Sequence, residues 1–336
     1  MTLSVPACPA RRPIRILSTG AALPPTRVDS AELDIRLGKK PGYARKRSGI
    51  DCRYHASDEA SQAELAAAAL DDALLRAALD PSDIDLLIFA SAIPVQALPF
   101  SAIHVLQASR LPAGTAAFDL NASCVSFIQA LEVAAGLLGS HAYRRIAIVS
   151  ADLASRGIDW GDEESSLILG DGAACAIVDR GDGSSGIGAA LQETYPEGRR
   201  YCEIRAGGTE RNPRAGMDAS DFLFHMDGKQ IFRQASALIE GFFDRLLARA
   251  GMTLSDIATV VPHQASHVSL EHMRRRLKVP AEAIVNIYRE RGNQVAASIP
   301  SALHEARITG RLAPGRPVLL IGTAAGLTLS GMILFP

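Results

Sequence analysis

Short apolar runs bounded by turn residues alternate along this chain with longer stretches whose apolar positions recur every three to four residues. The first kind predicts buried strands and the second helices. Residues 14–20, 84–90, 117–120 and 146–150 read as strands. Residues 64–79, rich in Ala and Leu, have helical spacing, which Pro81-Ser82-Asp83 ends. Residues 123–138 have the helical period but are almost wholly apolar, which predicts a helix buried on all sides. Residues 167–178 hold Gly170-Asp171-Gly172, a tight turn between two apolar segments; it lacks the ending of a phosphate loop. The later chain repeats the programme, with a helix over 230–250, a strand over 259–262, a helix from 296, a strand over 318–321 and a closing strand over 331–335. Alternation of this kind predicts an α/β layered fold.

The pattern is an internal repeat. Residues 73–92 (ALLRAALDPSDIDLLIFASA) fall on residues 245–265 (RLLARAGMTLSDIATVVPHQA), and residues 121–150 align without a gap on residues 293–322, an offset of 172. The period is far too long for a solenoid. It predicts a duplicated α/β unit with a shared site where the halves meet. Residues 179–186 (DRGDGSSG) are the most loop-like stretch and divide the chain into halves 1–180 and 187–336.

Composition narrows the class. The 336 residues are 48% hydrophobic and 21% charged, enough for a large core. A formal net charge of −1 implies no bulk attraction to nucleic acid or an anionic membrane. No apolar run reaches the length of a membrane span. The first residues have no apolar stretch ahead of their arginines, so no signal peptide is expected, and Val5-Pro6-Ala7-Cys8 is not read as a lipoprotein site. Five cysteines without a CxxC pair read as reduced thiols of a cytoplasmic protein, and no metal-ligand spacing is present.

Three residues carry candidate chemistry. Cys124 sits where a strand-like segment turns into a helix. The N–H groups and partial charge of a helix start favour thiolate, so a nucleophile with a lowered pKa is expected there, although a cysteine in an apolar helix is more often a small buried hydrophobe. His263 ends the strand over 259–262, and Asn293 precedes the helix that aligns with the Cys124 helix. Singly, a loop histidine and an N-cap asparagine would explain them. The repeat sets Asn293 opposite Asn121 and brings all three to one interface.

At this point the chain resembles the β-ketoacyl-acyl-carrier-protein synthase III family of the thiolase superfamily, over essentially its whole length. The resemblance rests on Ser18-Thr19-Gly20, Arg47-Ser48-Gly49-Ile50, Asn121-Ala122-Ser123-Cys124, Gly170-Asp171-Gly172-Ala173, Val261-Pro262-His263-Gln264-Ala265, and Gly292-Asn293 followed by Ala296-Ala297-Ser298-Ile299-Pro300. It implies a five-layered α-β-α-β-α thiolase-type fold with two pseudo-equivalent halves, acting as a homodimer. It implies that a thioester acylates Cys124. His263 and Asn293 then bind a malonyl thioester and stabilise the enolate left by decarboxylation, and the backbone N–H groups of Cys124 and Ala325 hold the acyl oxyanion. Substrates would be coenzyme A or phosphopantetheine thioesters, delivered as acyl-CoA or on an acyl-carrier protein, with no permanently bound cofactor.

The chain departs from the family pattern at several points. Cys-x-Gly-Phe is here Cys124-Val125-Ser126-Phe127, and Gln294-Val295 replaces a small polar pair; Phe127 and Gln294 are expected in the substrate pocket. The loop Thr323-Ala324-Ala325-Gly326 lacks two usual glycines. Tyr43 stands where a tryptophan often stacks on adenine, and Glu163 where an arginine closes that stack; an acid makes neither the cation–π nor the phosphate contact. Leu98, reaching in from the partner subunit, replaces a bulkier aromatic that limits acyl length. Arg233, Arg274, Arg275 and Arg276 fall near the family's carrier-docking face. His225, His267 and His272 read as surface or packing residues. These departures describe a specialised member. Rival readings are an acyltransferase of the same fold with a hydroxyl or amine acceptor, a non-decarboxylative condensation of two acyl chains, and a non-catalytic partner subunit.

Overall fold

A computed structural model describes residues 11–336, so Cys8 and its motif lie outside the described residues. The first part of the chain runs β1 (Arg15–Ala22), β2 (Thr26–Asp29), α1 (Ser30–Arg36), α2 (Tyr43–Ser48), β3 (Cys52–His55), α3 (Gln62–Ala77), β4 (Leu86–Phe89), α4 (Ala102–Ala108), β5 (Ala116–Asp119), α5 (Ser126–Gly139), β6 (Arg145–Asp152), α6 (Glu163–Ser166) and β7 (Gly172–Asp179). The rest runs β8 (Gly186–Thr194), β9 (Cys202–Glu203), β10 (His225–Met226), α7 (Gly228–Ala250), β11 (Thr259–Pro262), α8 (His267–Arg276), α9 (Tyr288–Arg291), α10 (Ser298–Ile308), β12 (Val318–Ala324) and β13 (Thr328–Phe335).

Two sheets share one pattern. The first has the order β1-β7-β6-β4-β5, the second β11-β12-β13-β8. In the first, β4 is parallel to β5 and β6, while β6–β7 and β7–β1 are antiparallel. In the second, β11 is parallel to β12, while β12–β13 and β13–β8 are antiparallel. The counterpart of β5 has shrunk to one parallel bridge, Val260 to Ile284. The 172-residue repeat is thus written into strand direction as well as order.

Helices α5 and α10 lie between the sheets. Phe127, Ile128, Leu131, Ala134 and Leu138 of α5, with Ile299, Ala302, Leu303 and Ala306 of α10, share one core with Leu86, Ile88, Ile146 and Ile148 of the first sheet and Val318, Leu320, Met332 and Leu334 of the second. Outside the first sheet, α3 and α4 pack on Leu87, Phe89, Ala147, Val149 and Ile177. Outside the second, α7 sets Phe242, Phe243, Leu246 and Ala250 against Val260, Leu319, Ile321 and Ile333. The result is the expected α-β-α-β-α sandwich. One prediction needs correcting. Helix α5 is not buried on all sides: Val133, Gly136 and Gly139 reach solvent, on a face that no other element covers among the described residues.

Close approach of α3 to the first sheet requires Gly20. A Cβ there would lie 2.3 Å from the carbonyl oxygen of Ala69 and 2.4 Å from the nitrogen of Ala73. These are backbone atoms and cannot rotate away. Gly20→Ala is expected to lower unfolding free energy by about 1–3 kcal/mol, the usual cost of overpacking, measured by urea denaturation with an unchanged m-value.

Candidate active site

Each central helix starts from the same unusual turn. Ser123 has φ +54° and Val295 φ +51°, both in the left-handed region that residues with a Cβ avoid. The side chains around them hold that conformation in matching ways. Asn121 Oδ1 accepts from the Ser123 N–H (2.9 Å), and Asn293 Oδ1 from the Val295 N–H (2.9 Å). Asn121 Nδ2 donates to the Ala92 carbonyl (2.9 Å), and Asn293 Nδ2 to that of Ala265 (3.3 Å). Ser126 Oγ accepts from the Ala122 N–H, and Ser298 Oγ from the Gln294 N–H. The repeat therefore holds atom by atom, and it sets Cys124 opposite Ala296. Each half keeps a different part of the chemistry.

Beyond Asn293, the Gly170-Asp171-Gly172 turn fixes the second segment. The Asn293 N–H donates to Ile168 O (2.8 Å), and the Gly170 N–H donates to Asn293 O (3.0 Å). On the other side, the end of β11 carries His263, whose N–H bonds Ile321 O of β12 (2.8 Å). The next residue, Gln264, is fully buried. It donates to Pro262 O and Val285 O and accepts from the N–H groups of Ile287 and Tyr288, so the loop cannot shift. Gly322 lies between the two sides. A Cβ on it would come within 3.0 Å of His263 Cβ and 3.1 Å of Val125 Cγ1, so a bare backbone lets the cysteine turn and the histidine strand approach.

Cys124, His263, Asn293, Ala324 and Ala325 line one cavity of about 460 Å³. Leu167, Ile168, Cys202, Phe224, Met226, Phe232, Ile239 and Met273 give it apolar walls. These surroundings set the charge states. Burial pushes the Cys124 thiol up, helped by nearby Cys202 and Asp152, while the N–H groups of Ala325 and of Cys124 itself pull it the other way. The lowered thiol pKa expected from a helix start is therefore corrected: α5 begins at Ser126, and loss of water outweighs the N–H groups. Burial likewise lowers His263 to about 4, and its Nδ1 has no partner in the protein. At neutral pH the site holds a thiol, a neutral imidazole and an amide. They can accept or donate a proton and present hydrogen bonds, without a fixed charge.

Other expected site residues are placed differently. Phe127 is fully buried in the central core, and Gln294 is buried with its Nε2 on the Asp171 carbonyl (3.0 Å); neither lines the cavity. The reason is geometric: Phe127 points into the layer between the sheets, and Gln294 turns back onto the Asp171-Gly172 turn. Leu98 is 84% exposed in the single chain. The Tyr43 hydroxyl donates to Glu163, which also pairs with Lys39, so the adenine-clamp positions are tied to each other. Glu163, Glu164 and Arg47 line the cavity mouth. Arg274 and Arg275 pair with Glu271, and Arg276 with Glu240, while Arg233 is exposed with no ion pair among the described residues. His272 lines the cavity with its ring 4.6 Å from that of Phe232; His225 and His267 are exposed. Sequence reasoning missed Cys202, Phe224, Met226, Phe232 and Met273. Their segments carry no motif, and only folding brings them to Cys124. Among the described residues no cluster can hold a metal ion, and no helix is long and apolar enough to cross a membrane.

Five layers, two paired central helices and a cysteine at the start of one of them define a thiolase-fold acyl-transferring enzyme. Family models for 3-oxoacyl-[acyl-carrier-protein] synthase III match residues 118–196, and for its C-terminal part residues 247–335. The β-ketoacyl-[acyl-carrier-protein] synthase III of Syntrophomonas wolfei is 31% identical over 322 residues, covering 96% of this chain and 97% of that protein. The crystal structure of 3-oxoacyl-[acyl-carrier-protein] synthase III from Aquifex aeolicus superposes with a TM-score of 0.85 at 28% identity, over 96% of this chain and all of that one. The priming β-ketosynthase of the R1128 polyketide pathway superposes with a TM-score of 0.83 at 29% identity, over 100% and 99%. The chain belongs to the β-ketoacyl-acyl-carrier-protein synthase III family.

The histidine shift has a stability consequence with a definite sign. His263 titrates at about 4 in the folded protein against 6.5 for an ordinary histidine. The unfolded chain therefore binds a proton first as pH falls. The stability that neutral His263 contributes is full above pH 6.5 and is lost as pH falls from there towards 4, a loss of about 3 kcal/mol at 1.4 kcal/mol per unit. Urea titrations of wild type and His263→Ala between pH 4 and 8 are expected to converge at the acid end; parallel curves would place the shift elsewhere.

Proposed function

We propose that this protein joins an acyl group to a malonyl unit by decarboxylative Claisen condensation, with Cys124 as acyl carrier and His263 and Asn293 as the decarboxylation pair. The observation that carries this reading is the convergence of a thiol, a neutral imidazole, an amide and two backbone N–H groups on one water-poor cavity. In the first stage the Cys124 sulfur attacks the carbonyl of an acyl thioester. Its proton passes to the departing thiolate, which leaves as coenzyme A or a pantetheine thiol. The N–H groups of Cys124 and Ala325 hold the oxyanion.

In the second stage a malonyl thioester occupies the emptied thiol channel. His263 and Asn293 donate hydrogen bonds to its thioester carbonyl. The bond to the carboxylate breaks, carbon dioxide leaves, and the electron pair remains as an enolate. Neither donor is acidic enough to quench it, which explains the value of an uncharged imidazole. The enolate carbon attacks the acyl carbonyl on Cys124. Collapse expels the sulfur, which regains a proton, and a β-ketoacyl thioester departs. The setting is fatty-acid-type or specialised, polyketide-like synthesis.

Carrier delivery is supported by the mouth. Glu163 and Glu164 line it where a nucleotide's phosphates would approach, and the Tyr43–Glu163 hydrogen bond occupies the stacking position. Arg233, exposed on α7 next to the lining residue Phe232 and without an ion pair among the described residues, offers a cation for an acidic carrier. The paired arginines still carry charge outward, since exposed ion pairs hold little energy. A homodimer is supported by β5, an edge strand of the first sheet, flanked by the exposed apolar side chains of Leu98, Phe100 and Ile103. Open strand edges beside apolar patches are natural pairing surfaces.

Intact mass spectrometry after exposure to a panel of acyl thioesters, followed by a malonyl-thioester chase, tests the chemistry. Cys124→Ala is expected to take no adduct. His263→Ala and Asn293→Ala are expected to acylate but to release carbon dioxide about 10²–10³-fold more slowly, the usual cost of one lost oxyanion-type donor. An adduct discharged by alcohols or amines without carbon dioxide would instead make this an acyltransferase. Phe100→Asp with Ile103→Asp is expected to give a monomer by light scattering.

A further inference from the structure

Asp152, at the end of β6, is fully buried, and no cation pairs with it among the described residues. Three backbone N–H groups converge on its carboxylate. Oδ1 accepts from Ala92 (3.2 Å) and Ile93 (2.9 Å), in the loop after β4, and Oδ2 accepts from Ala296 (2.9 Å), at the start of the α10 segment. Ala296 is the residue that the repeat sets opposite Cys124. The carboxylate therefore fills, in the second half, the place that an acyl oxyanion would take in the first: a charge held by the N–H at the head of a central helix. By the same repeat Asp152 corresponds to Ala324, so this half alone carries a built-in anion there.

Its contacts join the two helix starts. The loop bonded to Oδ1 is itself tied to the cysteine turn, through Asn121 Nδ2 on Ala92 O and Ser126 Oγ on Ser91 O (3.4 Å). Oδ2 reaches directly across to the turn of Asn293. That turn needs support more than its counterpart does, because a β-branched residue, Val295, is held there at φ +51°. Among the described residues no other hydrogen bond is made by the Ala296 N–H. A buried carboxylate without a cation is costly to keep, and two-sided acceptance is what distinguishes it from an amide of the same size.

Accepting the roles given above for Cys124 and Asn293, we propose that Asp152 is a positioning residue for decarboxylation: its two-sided carboxylate locks the left-handed turn at Val295 and so aims the Asn293 amide into the cavity. Asp152→Asn separates this from simple packing. The amide oxygen satisfies the Ala92 and Ile93 pair, and its NH₂ is left facing the Ala296 N–H, donor against donor. The side of Asn293 is cut while the side of the cysteine turn is kept.

The experiment measures acylation of Cys124 by intact mass and carbon dioxide release from a malonyl thioester, in wild type, Asp152→Asn, Asn293→Ala and the double variant, with thermal melting of each. Asp152→Asn is expected to acylate within threefold of wild type and to release carbon dioxide at least tenfold more slowly. In the double variant the residual rate is expected to equal that of Asn293→Ala, because the two residues act as a unit. A loss that multiplies in full onto Asn293→Ala, or acylation slowed as much as decarboxylation, overturns the positioning role while leaving the condensation reading intact. Full carbon dioxide release by Asn293→Ala overturns the role of Asn293, and the role of Asp152 with it. If Asp152→Asn does not fold, Asp152→Asn with Val295→Gly is the variant to make, since glycine adopts the left-handed turn without support. It is expected to recover folding and most of the carbon dioxide release; a folded protein as slow as Asn293→Ala overturns the proposal.

Discussion

Everything at this site depends on a backbone constraint: two residues with side chains, Ser123 and Val295, held in the left-handed region at the heads of the two central helices. Such a conformation costs roughly 1–2 kcal/mol per residue. It persists because each turn is over-determined, by an asparagine oxygen on one N–H, a serine hydroxyl on another and an asparagine NH₂ on a neighbouring strand's loop. In the first half the turn sends the Cys124 sulfur towards the N–H of Ala325. In the second it sends the Asn293 side chain towards the end of β11. The duplicated architecture supplies two such turns, one carrying Cys124 and the other Asn293.

Desolvation is the second governing term. The same burial that raises the thiol lowers the imidazole, so both groups rest uncharged in an apolar chamber. This is favourable to an enzyme whose reaction creates negative charge transiently, first on an acyl oxygen and then on an enolate. Preorganised dipoles act strongly where water is excluded. A buried acid nearby, Asp152, is set on the far side of the pseudo-twofold relation. There three N–H groups satisfy it, and burial still brings its carboxyl up to about 7.

The rim differs from the chamber in kind. Its groups are solvated, and its salt links among Lys39, Tyr43 and Glu163, or Glu271 with Arg274 and Arg275, are of the weak, screened sort. Such a surface can change its partner by a few substitutions without disturbing the core. The inner parts, by contrast, are interlocked: Gln264 bonds four backbone groups at once, and a methyl group on Gly322 would press on His263, Val125 and Ile299 at 3.0–3.3 Å.

Local periodicity was enough to read strands β1, β4, β5, β6, β11, β12 and β13 and helices α3, α5, α7 and α10, because a two-residue or three-to-four-residue repeat records which face of an element is buried; β2, β3, β8 and the helices α1, α2, α4 and α8 were not read from it. The apolar run over 259–262 is β11 to the residue. The long-range repeat also disclosed the paired architecture, since equal folds need equal patterns in equal order. Three kinds of fact were beyond its reach. The direction of the Cys124 shift depends on how much water the rest of the fold removes, which outweighs the helix start next to it. The placement of Phe127 and Gln294 depends on which way each turn faces, Phe127 towards the interlayer core and Gln294 onto the Asp171-Gly172 turn, and neither towards the cavity. The walls supplied by Cys202, Phe224, Met226 and Met273 come from segments with no motif of their own. Periodicity is a property of neighbours along the chain, whereas burial of charge and the shape of a cavity are properties of neighbours in space, and only tertiary structure brings those together.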